Sequence, residues 1–88
     1  MNISWSRRSL HDLADILRFT GSEVFILRLI KRALKIPSFP LAGKRIPDLE
    51  EYGLREVVWR KYRIVYKIKD DLIEIVTVCH TSRILSVE

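Results

Sequence analysis

Arginine and lysine are concentrated in two stretches of this 88-residue chain. Residues 28–35 hold four basic residues and no acidic one, whereas residues 55–69 hold six basic residues and one acid, Glu56. The two stretches carry +4 and +5, the whole chain carries +5, and the remaining residues therefore sum to −4. Charge that served solubility alone would be scattered, so this clustering favours a polyanion or an acidic protein as partner. The residues predicted to bind such a partner are Arg28, Lys31, Arg32, Lys35, Arg55, Arg60, Lys61, Arg63, Lys67 and Lys69.

The two clusters differ in how strongly they indicate binding. In residues 28–35 the cations recur at three- and four-residue spacings, which is also the pattern of an ordinary solvated helix face. Arg63, Lys67 and Lys69 instead share one face of a predicted strand, where like charges repel unless a partner neutralises them. Arginine binds phosphate or carboxylate oxygens through two parallel hydrogen bonds. We therefore expect a basic sheet face, open to solvent, that binds phosphates or an acidic peptide.

Cys79 is the single cysteine and lies in the apolar run 75–79. It has no partner for an intramolecular disulfide, so the sequence predicts a buried, reduced thiol and a cytoplasmic location. Cys79, His80 and His11 are too few and too irregularly spaced for a zinc site, and we expect neither a metal nor another cofactor. No apolar run approaches the roughly 18 residues of a membrane span, so a membrane partner is not expected either.

Two helices are predicted in the first half of the chain. Ser6 is a suitable N-cap for the first helix, Gly21 ends it, and Ser22 caps the second, which stops before Pro37. The apolar stripe of the first helix is predicted to consist of Leu10, Leu13, Ala14 and Leu17. The apolar face of the second helix is predicted to consist of Ile26, Leu27, Ile30, Ala33 and Leu34.

The second half of the chain has the residue composition of a β-sheet. All three prolines lie in segment 37–47, which is predicted to be a connecting loop without regular structure. Residues 54–59, 62–69 and 72–80 are rich in β-branched and aromatic side chains and are separated by two-residue turns, which predicts three antiparallel strands. The face that packs on the helices is predicted to carry Tyr62, Ile64, Tyr66 and Ile68. The sequence thus predicts an α+β fold in a single domain, residues 1–88, with a helical hairpin on a small antiparallel sheet.

Several short segments occur in an order and spacing that resemble a known family. They are residues 41–49 (LAGKRIPDL), 54–57 (LREV), 62–66 (YRIVY) and 73–78 (IEIVTV), followed by His80 and Arg83. Trp5-Ser6 followed by Asp12-Leu13 is similar to the family's first strand and helix. On these motifs the chain resembles the RelE/ParE superfamily of toxins from bacterial type II toxin–antitoxin modules. It is most similar to the ParE-like, plasmid-stabilisation branch.

The resemblance implies a β-α-α-β-β-β fold and a toxin that inhibits growth until an antitoxin wraps around it. It implies one of two targets, because both activities occur on this fold. ParE-like members block DNA gyrase through a protein contact. RelE-like members cut ribosome-bound mRNA and so inhibit translation without a metal.

For a RelE-like enzyme, the resemblance implies a catalytic set of Arg63, His80, Arg55 and Arg83. Arg63 aligns with the family's strand arginine and would clamp the phosphate, with Arg55 and Arg83 assisting. His80 would transfer protons, because imidazole titrates near neutral pH. The alternative for His80 is a strand-end histidine hydrogen-bonded to the backbone.

The end of the chain departs from the RelE-like pattern. Many such nucleases place a tyrosine in the C-terminal tail, whereas no aromatic residue follows His80 here. The incomplete acid–base set fits gyrase inhibition better, and this is the leading hypothesis. The mRNA endonuclease is the second hypothesis, and a non-toxic basic module that binds nucleic acid or peptides is the third.

Overall fold

The computed structural model describes residues 1–85, which form five strands and two helices. In chain order these are β1 (Asn2–Trp5), α1 (Arg7–Thr20), α2 (Glu23–Ala33), β2 (Lys44–Arg45), β3 (Leu54–Trp59), β4 (Tyr62–Lys69) and β5 (Leu72–His80). No helix of this part of the chain is long and apolar enough to cross a membrane.

Both helices begin at the serines that the sequence predicts. The Ser6 hydroxyl accepts a hydrogen bond from the Ser9 amide at 3.0 Å, and the Ser22 hydroxyl accepts one from the Phe25 amide at 3.1 Å. Each serine thus satisfies an amide that the first helical turn leaves unpaired. Gly21 ends α1 with a φ of 63°, the left-handed conformation that glycine adopts without strain. The predicted helical hairpin is confirmed.

The strands form one mixed sheet in the order β1-β5-β4-β3-β2. Strands β3, β4 and β5 are antiparallel neighbours, as predicted, whereas β1 pairs with β5 in parallel. A parallel neighbour requires a crossover connection, and the α1–α2 hairpin together with the following strands provides it. The predicted α+β fold with two helices on a sheet is confirmed, and the sheet has five strands.

The main core lies between the helices and one face of the sheet. Leu29 and Ala33 of α2 pack against Ile64, Ile73 and Ile75, and all five are almost fully buried. The predicted face of β4 contributes Tyr62, Ile64, Tyr66 and Ile68 to this core. We call this side of the sheet the helix face and the opposite side the outer face.

The outer face carries a second, smaller apolar cluster, and the prediction that it is open to solvent is wrong. Ile46, Leu54 and Val65 are buried there, with Val76 and Leu85 packed against them. Residues 46 and 85 both lie outside the three long strands, so the segments before and after those strands fold over this face. Burial of these side chains stabilises the fold, because it removes from water apolar surface that helices on one face of the sheet alone would leave exposed.

Helix α1 turns a different side inward from the one that its leucine spacing predicts. Of the predicted stripe only Leu13 is buried, and Leu10 is 55% exposed, whereas Asp12 and Ile16 are buried. The reason is the edge of β5, whose pairing with β1 ends at Ile75. Beyond that point the Asp12 carboxylate accepts hydrogen bonds from the Val78 amide at 2.9 Å and the Thr77 hydroxyl at 2.5 Å. An unpaired buried amide is costly, so this contact fixes the rotation of α1.

The remaining sequence predictions for the helix and loop segments are partly corrected. On α2, Ile26, Ile30 and Ala33 face the core as predicted, whereas Leu27 and Leu34 are exposed. Segment 37–47 is not wholly irregular. A 3-10 turn spans Ile36–Ser38, where the proline occupies a first-turn position that needs no amide, and β2 pairs with β3.

Candidate functional site

Arg63 is the residue to which the family resemblance assigns the phosphate, and it lies on the outer face of β4. Its Nη1 donates to Glu56 Oε2 at 3.2 Å. Its Nη2 donates to two backbone carbonyls, those of Thr81 at 2.7 Å and Arg83 at 2.8 Å. Only 17% of the side chain is exposed. The guanidinium therefore ties the segment after β5 to the sheet.

His80 lies at the end of β5 and on the other side of the sheet. It is paired in register with Tyr62, and the two rings pack edge to face with centroids 5.7 Å apart. Its Nδ1 accepts a hydrogen bond from the Ser82 amide at 3.1 Å. Because Tyr62 belongs to the helix face and Arg63 to the outer face, the structure does not bring His80 and Arg63 together.

Arg55 and Arg83 do not complete the set either. Arg55 is paired in register with Tyr66 on the helix face, where its Nη1 donates to the carbonyls of Gly43 at 2.9 Å and Leu41 at 3.3 Å. Arg83 is exposed, and it meets Arg63 through its backbone carbonyl. The catalytic role of these four residues stays a prediction that the resemblance makes.

The cations of the outer face are accompanied by acids. Lys67 Nζ lies 3.6 Å from Glu74 Oε1, directly across the β4–β5 ladder. Glu56, on β3, pairs with Arg63. The like-charge repulsion that the sequence predicts on this face is therefore relieved within the molecule, because the strand register places a carboxylate beside each of these two cations.

Arg60 and Lys61 form the turn between β3 and β4 and are exposed. Arg60 has a φ of 58°, in the left-handed region that two-residue hairpin turns require. Its guanidinium carbon lies 5.5 Å from the centroid of the Trp59 ring. The centroid of the Trp59 ring lies 5.0 Å from that of the Phe25 ring. Trp59 thus packs within the molecule and also offers a ring to a cation.

The cations of residues 28–35 lie along and just beyond α2. Arg28, Lys31 and Lys35 are exposed and Arg32 is half-buried. Within residues 1–85, the ion pairs involve Arg8, Arg18, Arg63 and Lys67, and none involves this helix cluster. A cleft of about 330 Å³ adjoins Arg32 and Lys35. Its other lining residues are Ile36, Phe39, Ala42 and Val57.

Cys79 is buried on the outer face and forms no disulfide, which confirms the prediction of a buried free thiol. Burial raises the pKa of the thiol, and the nearby charges of Arg63 and Arg83 partly oppose that rise. A thiol with a raised pKa is protonated and a poor nucleophile at neutral pH. Cys79 is therefore a packing residue.

Sequence reasoning treated Tyr66 only as a core residue and missed its polar contacts. Its hydroxyl donates to the Pro40 carbonyl at 2.6 Å and accepts from the Gly43 amide at 3.1 Å. Burial raises the pKa of the Tyr66 hydroxyl, whereas the Gly43 hydrogen bond and the charges of Arg55 and Arg32 act in the opposite direction. The available signal was the tyrosine itself, because a buried hydroxyl requires a polar partner.

The comparisons with known proteins agree with one another. A family model described as the ParE toxin of a type II toxin–antitoxin system, parDE, matches residues 3–85. A chromosomal ParDE system from P. aeruginosa superposes with a TM-score of 0.76 at 14% identity, covering 91% of this chain and 95% of that one. The toxin–antitoxin complex RelBE2 from Mycobacterium tuberculosis superposes with a TM-score of 0.73 at 20% identity, covering 90% of this chain and 95% of that one.

At these identities the two solved structures show a shared fold. No curated protein sequence matches the chain. The family match covers nearly all of the described residues and includes every strand and helix apart from the first residue of β1. The chain belongs to the ParE toxin family of type II toxin–antitoxin systems.

Proposed function

We propose that this chain is a growth-inhibiting toxin that blocks DNA gyrase through a protein contact and is neutralised by the antitoxin of its module. The observation that carries the proposal is the match of residues 3–85 to the ParE toxin family. The two solved structures with the same fold come from toxin–antitoxin systems, which supports an antitoxin partner. Gyrase is a cytoplasmic enzyme in bacteria, and we propose that residues 1–88 act there as one domain.

The geometry supports a contact mechanism over catalysis. Cleavage of RNA at a 2′-hydroxyl needs a base, an acid and a cation that converge on one phosphate. Here Arg63 spends its Nη1 and Nη2 donors on Glu56 and on the carbonyls of the segment after β5. His80 lies on the opposite face of the sheet. A toxin that acts by binding its target needs no such convergence.

Cleavage of ribosome-bound mRNA is the second candidate. It is favoured by the position of His80, which is exposed at the end of β5 with an imidazole free of strong ion pairs in the described residues. For this candidate the ribosome would have to supply the missing groups or release Arg63 from its present contacts.

Two assays with the purified toxin separate the candidates. We expect inhibition of DNA supercoiling by gyrase and unchanged protein synthesis in a cell-free translation extract. Addition of the antitoxin should restore supercoiling. Arrested translation with mRNA cut within codons, and normal supercoiling, would instead establish the endonuclease. If neither assay responds and induction leaves growth unchanged, the chain is a non-toxic binding module.

A further inference from the structure

Two apolar side chains project from the loop that precedes β2. Phe39 is 70% exposed and Leu41 is 69% exposed. The sequence around them is rich in proline and poor in charge. We refer to residues 39–43 as the apolar loop. Exposed apolar side chains that lie close together are typical of interaction sites when the backbone that carries them is ordered.

The backbone of the apolar loop is held by side chains from the sheet. The Tyr66 hydroxyl bonds the Pro40 carbonyl at 2.6 Å and the Gly43 amide at 3.1 Å. Arg55 donates to the carbonyls of Leu41 and Gly43, and the Ala42 amide bonds the Phe39 carbonyl at 3.0 Å. Tyr66 is fully buried, so this anchor is part of the core.

Gly43 is essential to this arrangement for a steric reason. A side chain at this position would collide with the ring and hydroxyl of Tyr66, which approach the glycine backbone too closely for a Cβ atom. The glycine in the segment 41–49 thus permits the tyrosine to reach the loop. The exposure of Phe39 and Leu41 is therefore enforced by core contacts and is not a product of a loose loop.

A cationic cleft lies beside the apolar loop. Phe39 and Ala42 of the loop line it together with Arg32 and Lys35. No acidic residue lines the cleft, and in residues 1–85 neither cation takes part in an ion pair. Apolar side chains next to cations that have no ion-pair partner suit a protein–protein interface, and the sign of the charge selects an acidic partner.

We propose that the apolar loop and this cleft are the docking site for an acidic segment of the antitoxin. A bulky apolar side chain of that segment packs between Phe39 and Leu41, and its flanking carboxylates pair with Arg32 and Lys35. This inference rests on the proposed function, which supplies the antitoxin. A preorganised surface loses little entropy on binding and suits the long-lived complex that keeps a toxin inactive.

The test uses the full-length toxin and the purified antitoxin of the same module. The double variant Phe39→Ser/Leu41→Ser removes the two apolar side chains without touching the core. The matched control, Leu10→Ser/Phe19→Ser, removes the same two residue types from exposed positions on α1. We expect the loop variant to bind the antitoxin about 10- to 100-fold more weakly, and the control to bind within about threefold of the wild type.

Growth inhibition in the absence of antitoxin is the second measurement. Retained toxicity together with lost neutralisation in the loop variant establishes the docking site. Wild-type affinity of the loop variant for the antitoxin overturns the inference and leaves the proposed function intact. Loss of toxicity in the loop variant, with the control still toxic, also overturns it, because the surface then belongs to the target. If the wild-type chain does not inhibit growth, the proposed function is wrong, and the inference that rests on it is wrong as well.

Discussion

Two basic regions of this toxin have similar charge in the sequence and opposite roles in the structure. On the outer face of the sheet, Arg63 and Lys67 are each paired with a carboxylate, and Arg63 also binds two backbone carbonyls. Along and just beyond α2, Arg32 and Lys35 border a cleft and have no ion-pair partner in residues 1–85. The first region uses its charge for stability, and we propose that the second uses its charge to bind a partner.

The largest effect is expected from Arg63→Ala. The change leaves Glu56 half-buried without its cation and two carbonyls without a donor, so unfolding free energy should fall by about 2–3 kcal/mol. Urea denaturation measures this loss. Lys69→Ala, an exposed cation of the same strand, is the control and should change stability by less than about 0.5 kcal/mol. An Arg63→Ala protein as stable as the wild type would contradict the structural role of this arginine.

Tyr66→Phe tests the anchor of the apolar loop. It keeps the ring in the core and removes hydrogen bonds to Pro40 and Gly43, so we expect a loss of about 1–2 kcal/mol. Hydrogen exchange at the Gly43 amide should accelerate, because that amide loses its acceptor. Tyr62→Phe removes a hydroxyl from the same strand and should leave this exchange rate unchanged. Unaltered Gly43 exchange in Tyr66→Phe would show that the loop is held by other contacts.

Lys67→Ala and Lys31→Ala compare a paired cation with an unpaired one. Lys67→Ala should cost less than about 1 kcal/mol because its ion pair with Glu74 is partly exposed. Lys31→Ala should leave stability within about 0.5 kcal/mol. The difference between the two variants should shrink in 1 M salt, which screens the surface pair. An equal effect of both changes at low salt would remove the distinction between the two regions.

The smallest effect is a decline of stability at alkaline pH. Burial raises the pKa of Cys79 on the outer face and of Tyr66 on the helix face above their ordinary values. Each group then binds its proton more tightly in the folded state, so its contribution is complete below the ordinary pKa and is lost as pH rises. In thermal unfolding between pH 7 and 11, the loss of stability caused by deprotonation of the thiol should appear first. Cys79→Ala should abolish that loss and leave the loss caused by Tyr66 unchanged. A melting temperature of the Cys79→Ala protein that falls as early as that of the wild type would contradict this assignment.

The sequence predicted features that depend on local chemistry. Ser6, Ser22 and Gly21 define the hairpin because caps act within three residues of a helix end. It did not predict the inward side of α1, because that side is chosen by a contact between Asp12 and an amide 66 residues away. Leucine spacing carries no information about a sheet edge that forms later in the chain.

The same distinction applies to the candidate site. The sequence predicted both basic regions, because the charge of a segment follows directly from its residues. Which cations are neutralised depends on the register of β3, β4 and β5, which brings Glu74 opposite Lys67. The shape of the apolar loop could not be predicted for a similar reason, since it depends on Tyr66, which follows Gly43 by 23 residues. Long-range pairing therefore decided which predicted residues remain available for binding.

The Asp12 carboxylate has a further consequence for the behaviour of the chain in concentrated solution. Beyond the end of β1, the Val78 amide has no partner strand on that side, and without Asp12 it would offer a pairing site to a strand of another copy. Asp12 occupies that site with a charged group, which a second strand cannot displace without stranding a buried anion. One side chain thus protects this toxin from edge-to-edge self-association along the second half of β5.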